Sequence, residues 1–224
     1  MKILVCIKRV PLTGGRIVLT PDEQAIETKH LGFTISPHEE CGVEEAVRLV
    51  EQHGGESVVL TLGSADASEQ LRDALAMGID RALHLETDGE EWDPEATAGA
   101  IVEAIRADET SSGAFDLILF GNESADSGGY QVGLRCAYAL GRPCATGIKG
   151  VTIADSGVRA EQERLEAGNR HVARRQVRDR LDPRRPLDRD RSHDPAHPGP
   201  RARVVVDVDE VRFPRCFQRP PGLD

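Results

Sequence analysis

A polar, glycine-containing segment, residues 121–133 (GNESADSGGYQVG), has the clearest chemical potential in the chain. It follows the apolar run FDLILF, which predicts a buried β-strand, and it leads into a helical pattern. The Gly128-Gly129 pair permits positive φ and lets the backbone approach a ligand closely. Because free N–H groups and the helix dipole favour an anion where a helix begins, we expect a phosphate at this pair. A loop that caps the helix and binds nothing is the alternative.

Polar residues in and near this segment predict contacts with a nucleotide. Asn122, Asp126 and Gln131 carry hydrogen-bonding groups suited to a ribose or a base. Two other strand ends are rich in small or polar residues: LGS at 62–64 follows the second predicted strand, and SPHE at 36–39 lies near the first. Ligands of an open parallel sheet bind beyond the carboxyl ends of its strands. The G-x-G-x-x-G and P-loop patterns are absent from the sequence, which disfavours a standard dinucleotide or P-loop site.

The reactive residues do not have the spacing of a catalytic set or of a metal-binding site. No Ser/His/Asp or Cys/His arrangement emerges and nothing nominates a nucleophile. The five cysteines never occur as a pair separated by two residues, which zinc and iron–sulfur sites favour, and are expected to be small buried hydrophobes. His38 is expected to be a solvated loop histidine rather than a general base, and Trp92 a surface anchor or partner contact.

Strand and helix patterns alternate along the first 160 residues. Continuous apolar runs predict strands buried on both faces, and 3.6-residue periodicity predicts helices between them. Strands are predicted at 2–8, 57–62, 82–86 and 115–120, a peripheral strand pair at 16–20 and 25–29, weaker strands at 151–154 and 158–161, and helices at 39–53, 67–77, 94–107 and 129–140. This order predicts an α/β fold, a three-layer sandwich with an open, mostly parallel sheet.

Composition changes abruptly near residue 160. Residues 161–200 contain only 10 apolar or glycine residues, so we expect 165–200 to be disordered, with one further strand at 204–208. The predicted division is therefore a nucleotide-binding α/β domain at 1–164 and an irregular arginine- and proline-rich tail at 165–224.

Charge and hydropathy exclude several classes of partner. Residues 1–160 carry 13 Lys and Arg against 26 Asp and Glu, a net charge of −13, whereas nucleic-acid binding needs a basic face. No apolar run approaches the ~18–20 residues of a membrane span. No secretory signal pattern opens the sequence, so we expect a cytoplasmic protein without membrane insertion.

Four segments together resemble the beta subunit of electron-transfer flavoprotein. They are MKILVCIKRVP at the start, SPHEECGVEEAVRL at 36–49, LRDALAMGIDRA at 71–82 and FGNESADSGGYQVGLR at 120–135. The family shows an I-K-R-V strand ending, an N-P-x-x-E-x-A-V-E-E-A helix, A-M-G-A-D-R and a G-x-x-x-x-D-x-x-x-x-Q-x-G loop, in this order. Ser36 stands where the family commonly has Asn, and Gly128, Gly129 and Tyr130 replace more polar residues.

This resemblance implies a heterodimer with an alpha subunit, in which the chain is an electron-carrier subunit and not an enzyme. The pair holds one FAD, mainly through alpha, and carries electrons from acyl-CoA or related dehydrogenases toward a quinone reductase. The beta subunit, with its adenine-nucleotide alpha-hydrolase-like fold, binds AMP in many members and a second FAD in electron-bifurcating members. The nucleotide-binding positions carried over from the family are Cys6, Ser36, Pro37, His38, Glu39, Leu62, Gly121, Asn122, Glu123, Ser124, Ala125, Asp126, Ser127, Gly128, Gly129, Tyr130, Gln131 and Val132.

The resemblance ends near residue 164. The family continues with an L-P-A-V strand, an N-x-P-R-Y loop that docks dehydrogenases and a lysine-rich segment, and this sequence has none of them. A divergent tail and a reading-frame change are the two explanations, and the abrupt shift in composition favours the second. The alternative function is a stand-alone adenine-nucleotide-binding module of the stress-protein type, which shares the sheet architecture.

Overall fold

A computed structural model describes residues 1–12, 14, 17–29, 31–154, 157–166, 169–177 and 204–208. The strands are β1 (Lys2–Ile7), β2 (Arg9–Pro11), β3 (Phe33–Ile35), β4 (Glu56–Gly63), β5 (Arg81–Glu86), β6 (Leu117–Gly121), β7 (Cys144–Ala154), β8 (Gly157–Glu166), β9 (Asn169–Val177) and β10 (Val204–Val208). The helices are α1 (Pro37–His53), α2 (Ser68–Met77), α3 (Pro94–Ser112) and α4 (Gln131–Leu140), with a short 3-10 turn, Ala65–Ala67, before α2.

Eight of the described strands form one open sheet, in the order β5-β4-β1-β6-β10-β7-β8-β9. The pairings from β5 through β7 are parallel, whereas β7–β8 and β8–β9 are antiparallel. All six residues of β1 are buried, since helices cover both faces of the sheet. The predicted α/β fold with a mostly parallel sheet is confirmed.

Successive residues of β1 pack into two separate hydrophobic cores, one on each face of the sheet. Val5 packs in the core that α1 and α2 cover, and Leu4 packs in the core that α3 and α4 cover. This alternation follows from the two-residue period of a strand. The molecule therefore has three layers, with the sheet in the middle and two helices on each face.

Helix boundaries follow local signals in the sequence. The Asp93 carboxylate accepts hydrogen bonds from the N–H groups of Glu95 and Ala96 at 2.8 and 3.0 Å, and proline occupies the first helical position of α3. This helix continues past the predicted end at 107 to Ser112. Its last turns carry the polar, buried Asp108, so the apolar periodicity fades before the helix ends.

Two predictions about irregular segments are wrong in part. The peripheral strand pair at 16–20 and 25–29 is reduced to one antiparallel bridge between Leu19 and Ile26. Residues 169–177, predicted to lack regular structure, form β9, which pairs with β8 along its whole length. The predicted strand at 204–208 is confirmed as β10.

The remaining residues of the tail, 178–203 and 209–224, lie outside the described residues, so the predictions of disorder and of a frame change stay predictions. So does the division at residue 164, which falls inside β8. Within the described part of the chain, no helix has both the length and the apolar character needed to cross a bilayer.

Candidate functional site

A cleft of about 940 Å³ opens at the carboxyl ends of β1, β4 and β6. Cys6, Leu62 and Gly121 bring these three strand ends to its floor. The walls come from the segment before α4 and from the segment between β5 and α3. The position agrees with the rule for open parallel sheets, and the size falls in the range of small-molecule sites.

Most of the residues predicted for a nucleotide site line this cleft. They are Cys6, Glu39, Leu62, Gly121, Ser124, Asp126, Ser127, Gly128, Gly129, Tyr130, Gln131 and Val132. The predicted residues that do not line it are Ser36, Pro37, His38, Asn122, Glu123 and Ala125. The cleft thus gathers predicted residues from four separate parts of the sequence.

Ser36 supports the cleft from behind rather than lining it. Its side chain is fully buried, and its hydroxyl accepts a hydrogen bond from the Ala125 N–H at 3.1 Å. The same hydroxyl lies 3.5 Å from the Glu123 carbonyl oxygen, to which it donates. These bonds tie the start of α1 to the segment that follows β6, so Ser36 acts on the site by holding this segment in place.

Gly121 allows β6 to end against the first turn of α1. A Cβ at this position would lie 2.5 Å from Cγ of Glu39 and 3.1 Å from its backbone N. The buried Glu39 carboxylate in turn accepts a short hydrogen bond from the Lys8 N–H just beyond β1. Burial raises the pKa of the neighbouring Cys6 thiol well above its usual value, and Cys136 and Glu39 raise it further, so Cys6 is a neutral thiol in the cleft floor.

The glycine pair behaves differently from its prediction. Gly128 has a φ of 65°, whereas Gly129 does not adopt a positive φ. The Gly128 N–H donates to the Ser124 carbonyl at 2.9 Å, and the Gly129 N–H to the Ser124 hydroxyl at 3.4 Å. The Tyr130 N–H donates to the Gly128 carbonyl at 2.9 Å. These donors already have acceptors within the segment, so the pair itself offers little to a phosphate.

The first turn of α4 is the nearest set of backbone donors that no side chain caps. Gln131, Val132 and Gly133, the first three residues of this helix, all line the cleft. An anion in the cleft can therefore still meet the positive end of the α4 dipole.

Sequence reasoning missed the basic residues of the site. Lys8 and Arg9 line the cleft immediately after β1, and the guanidinium of Arg9 lies 3.4 Å from the centre of the Phe33 ring. The Lys8 ammonium is 2.8 Å from the Asp126 carboxylate and 2.7 Å from that of Glu91. The only signal in the sequence was the I-K-R-V ending of the first strand.

The contacts of Lys8 shift the pKa values of Lys8 and of Asp126. Partial burial lowers the pKa of Lys8, but its hydrogen bonds with Asp126 and Glu91 outweigh burial and the net pKa is raised. Burial likewise opposes ionisation of Asp126, yet hydrogen bonds from Lys8 and Ser124 leave its pKa below the usual value. Both groups are therefore charged at neutral pH.

The donor set of the cleft fits an adenine nucleotide. The side chains of Trp92 and Tyr130 offer aromatic faces for a base, and the hydroxyls of Ser124 and Ser127 offer hydrogen bonds. Asp126 supplies a carboxylate that can accept from ribose hydroxyls. Nowhere among the described residues do three or more potential metal ligands meet. The lining therefore offers aromatic faces and hydrogen-bonding groups to a small ligand.

Comparison with known proteins places this chain in a family. A model of the family described as "Electron transfer flavoprotein domain" matches residues 25–179. The chain belongs to the electron transfer flavoprotein domain family, and the resemblance deduced from its four segments is confirmed. The match extends beyond residue 164, where the resemblance by motif ends, and includes β9.

Individual relatives agree with this assignment. The chain is similar to the electron transfer flavoprotein subunit beta of Bacillus subtilis, with 36% identity over 171 residues, which is 75% of this chain and 63% of the relative. It is 35% identical over 180 residues to the protein FixA of Sinorhizobium fredii, covering 79% of this chain and 62% of that protein. The subunit beta of Dictyostelium discoideum is 31% identical over 164 residues, 73% of this chain and 63% of the relative. The chain thus spans somewhat less than two thirds of the length of these relatives.

Proposed function

We propose that this chain is the beta subunit of a heterodimeric electron-transfer flavoprotein. Its proposed partner is an alpha subunit that holds most of the FAD, and the pair carries electrons from acyl-CoA or related dehydrogenases toward a quinone reductase. Family membership supports this role, because relatives named as beta subunits match about three quarters of the chain. The proposed compartment is the cytoplasm, and the acidic charge of residues 1–160 argues against nucleic acid as a partner.

The cleft is proposed to hold AMP, or a second FAD. The observation that carries this proposal is the convergence of three strand ends and the polar segment before α4 on one cleft. A flavin supplies the electron-carrying chemistry when it is bound, and a protein contributes binding, orientation and electrostatics. The residues of this chain would bind the nucleotide. Leu60, Ile101 and Phe120 would exclude water from the apolar side of the cleft.

Co-expression with the alpha subunit tests the proposed role. Size-exclusion chromatography should give one yellow peak that contains both subunits and has a flavin spectrum in the visible range. The Bacillus subtilis beta subunit, co-expressed with its own alpha subunit, is the positive control for complex formation. A colourless beta chain that elutes apart from alpha would contradict the heterodimer.

The same preparation tests the nucleotide. Ligand released by heat denaturation should be identified by mass spectrometry as AMP, or as FAD in excess of one per heterodimer. A nucleotide-loaded chain that binds neither alpha nor flavin would instead support the stand-alone adenine-nucleotide-binding module.

A further inference from the structure

Lys8 joins three segments across the mouth of the cleft. Its ammonium donates to the Glu91 carboxylate at 2.7 Å, in the segment before α3, and lies 2.8 Å from the Asp126 carboxylate, before α4. It also lies 3.3 Å from the Ser127 hydroxyl. The ammonium therefore sits beside the segment where the sequence placed a phosphate, and two carboxylates share its single charge.

An anionic ligand has few places in this cleft to neutralise its charge. Among the described residues that line it, five are acidic (Glu39, Glu90, Glu91, Asp93 and Asp126) and two are basic, Lys8 and Arg9. Arg9 is already stacked on Phe33. The N–H groups of Gly128 and Gly129 donate within their own segment. Of the two cations, Lys8 is the one that the structure pairs with the segment before α4, so it can meet a phosphate together with the first turn of that helix.

The two carboxylates on Lys8 differ in how firmly they are held. The Asp126 side chain is 22% exposed and also accepts hydrogen bonds from the Ser127 N–H and hydroxyl. The Glu91 side chain is 65% exposed, and Lys8 is the partner that the structure gives it. An exposed ion pair contributes little free energy, so Glu91 is the carboxylate that an incoming phosphate can displace.

We propose, on the basis of the nucleotide-binding role proposed above, that Lys8 receives the phosphate of the nucleotide and that Glu91 is an internal competitor for it. The cleft then discriminates nucleotides from nucleosides through one ammonium group. Glu91 lowers the affinity for every phosphate-bearing ligand and leaves the affinity for the uncharged nucleoside unchanged.

Isothermal titration calorimetry with AMP, with FAD and with adenosine tests this proposal. The protein is the full-length chain, stripped of co-purified nucleotide. Glu91→Gln should bind AMP about two- to fivefold more tightly than the wild type, the range expected for removal of an exposed ion pair. Its adenosine affinity should stay within twofold. Lys8→Gln should bind AMP at least tenfold more weakly, again with little change for adenosine.

Glu90→Gln is the matched control. Glu90 is an exposed acid next to Glu91 that lines the same cleft, but it is not among the ion-pair partners that the structure gives Lys8. Its removal changes the net charge of the cleft equally, so only the excess of Glu91→Gln over Glu90→Gln measures the competition. In a Lys8→Gln background this excess should vanish, as a double-mutant cycle requires for a direct interaction.

The outcomes separate the two levels of the proposal. If the wild-type chain binds none of AMP, FAD and adenosine, the nucleotide-binding role itself is overturned, and the competition with it. If AMP binds but Glu91→Gln equals Glu90→Gln, or if Lys8→Gln weakens adenosine as much as AMP, only the roles of Lys8 and Glu91 are overturned.

Discussion

Gly128 and Gly129 are neighbours in sequence but differ in what their positions require. Gly128 has a φ of 65°, where an L-residue costs roughly 1–2 kcal/mol. Gly129 has no positive φ, and a Cβ added there would come no closer than 3.9 Å to the Ser124 and Ser127 hydroxyls. We expect Gly128→Ala to lower the free energy of unfolding by about 1–2 kcal/mol. Gly129→Ala should leave it unchanged or raise it by up to about 1 kcal/mol. Urea denaturation of both variants measures the difference, and equal losses would contradict the assigned backbone geometry.

Single residues show how far the sequence could locate the site. Gly121, Leu62 and Cys6 were predictable, because each stands at the end of an apolar run and such ends meet at one edge of a parallel sheet. Lys8 was not predictable from local pattern. Its partner Glu91 is 83 residues away in the sequence, and only the folded chain brings the two together. The choice between Gly128 and Gly129 was equally hidden, since glycine permits positive φ at either position.

The packing of β6 against α1 depends on the absence of a side chain at Gly121. A Cβ there would lie 2.5 Å from Glu39 Cγ and 3.1 Å from its backbone N, so Gly121→Ala forces the strand and the helix apart. Overpacking of this kind typically costs about 1–3 kcal/mol of unfolding free energy. Gly99→Ala is the control, because nothing lies within 4 Å of that Cβ, and alanine in a helix should stabilise the chain by roughly 0.5–1 kcal/mol. Urea denaturation that ranks both variants alike would refute the close approach.

A buried ion-pair cluster ties the start of β1 to the end of α3. The Lys2 ammonium is 2.6 Å from the Asp108 carboxylate, which also accepts from the Arg81 guanidinium at 2.7 Å. Burial opposes ionisation of Asp108, but hydrogen bonds from Arg81, Lys2 and Ser112 outweigh it and lower its pKa to about 2. Because the folded pKa lies below the ordinary value of about 3.9, this carboxylate stabilises the fold above about pH 4.

The expected contribution of Asp108 is about 2 kcal/mol, and it is lost as the pH falls from about 4 to about 2. Asp108→Asn should lower the free energy of unfolding by about 3 kcal/mol at about pH 7, because it leaves the buried Lys2 ammonium without its anion. The variant should also lose less stability than the wild type between about pH 4 and about pH 2. Urea denaturation across this pH range gives both quantities. Asp66→Asn, at an exposed position, is the control for removal of one carboxylate from the chain.

For helices and strands, apolar periodicity predicted the helices and the buried strands. Polar contacts explain where prediction from periodicity failed. The last turns of α3 were not predicted, because Asp108 and Glu109 form ion pairs with Lys2 and Arg142 rather than packing against apolar neighbours. β8 was predicted only in part, at 158–161, and β9 was missed because its residues are mostly polar and gain their order from pairing with β8. Polar contacts and strand pairing leave no apolar periodicity in the sequence.

The central sheet is completed by a strand that lies far along the sequence, β10. β10 lies between β6 and β7 and runs parallel to both, although the family match ends at residue 179. A boundary at 164 would therefore leave β6 and β7 without the strand that joins them. The short apolar run at 204–208 was enough to predict a strand, but no local pattern indicates the gap that it fills.

Substitutions in β10 decide whether this late segment is part of the folded unit. Val205 and Val206 are both fully buried, and they feed the two cores on opposite faces of the sheet. Truncation of either to alanine removes two methyl groups from a packed interior, which should cost about 2 kcal/mol of unfolding free energy. Val18→Ala, at a position 44% exposed, should stay within about 0.5 kcal/mol of the wild type. If urea denaturation gives both buried positions the same small effect as Val18, the segment is not in the sheet, and the folded unit ends with the β8–β9 hairpin.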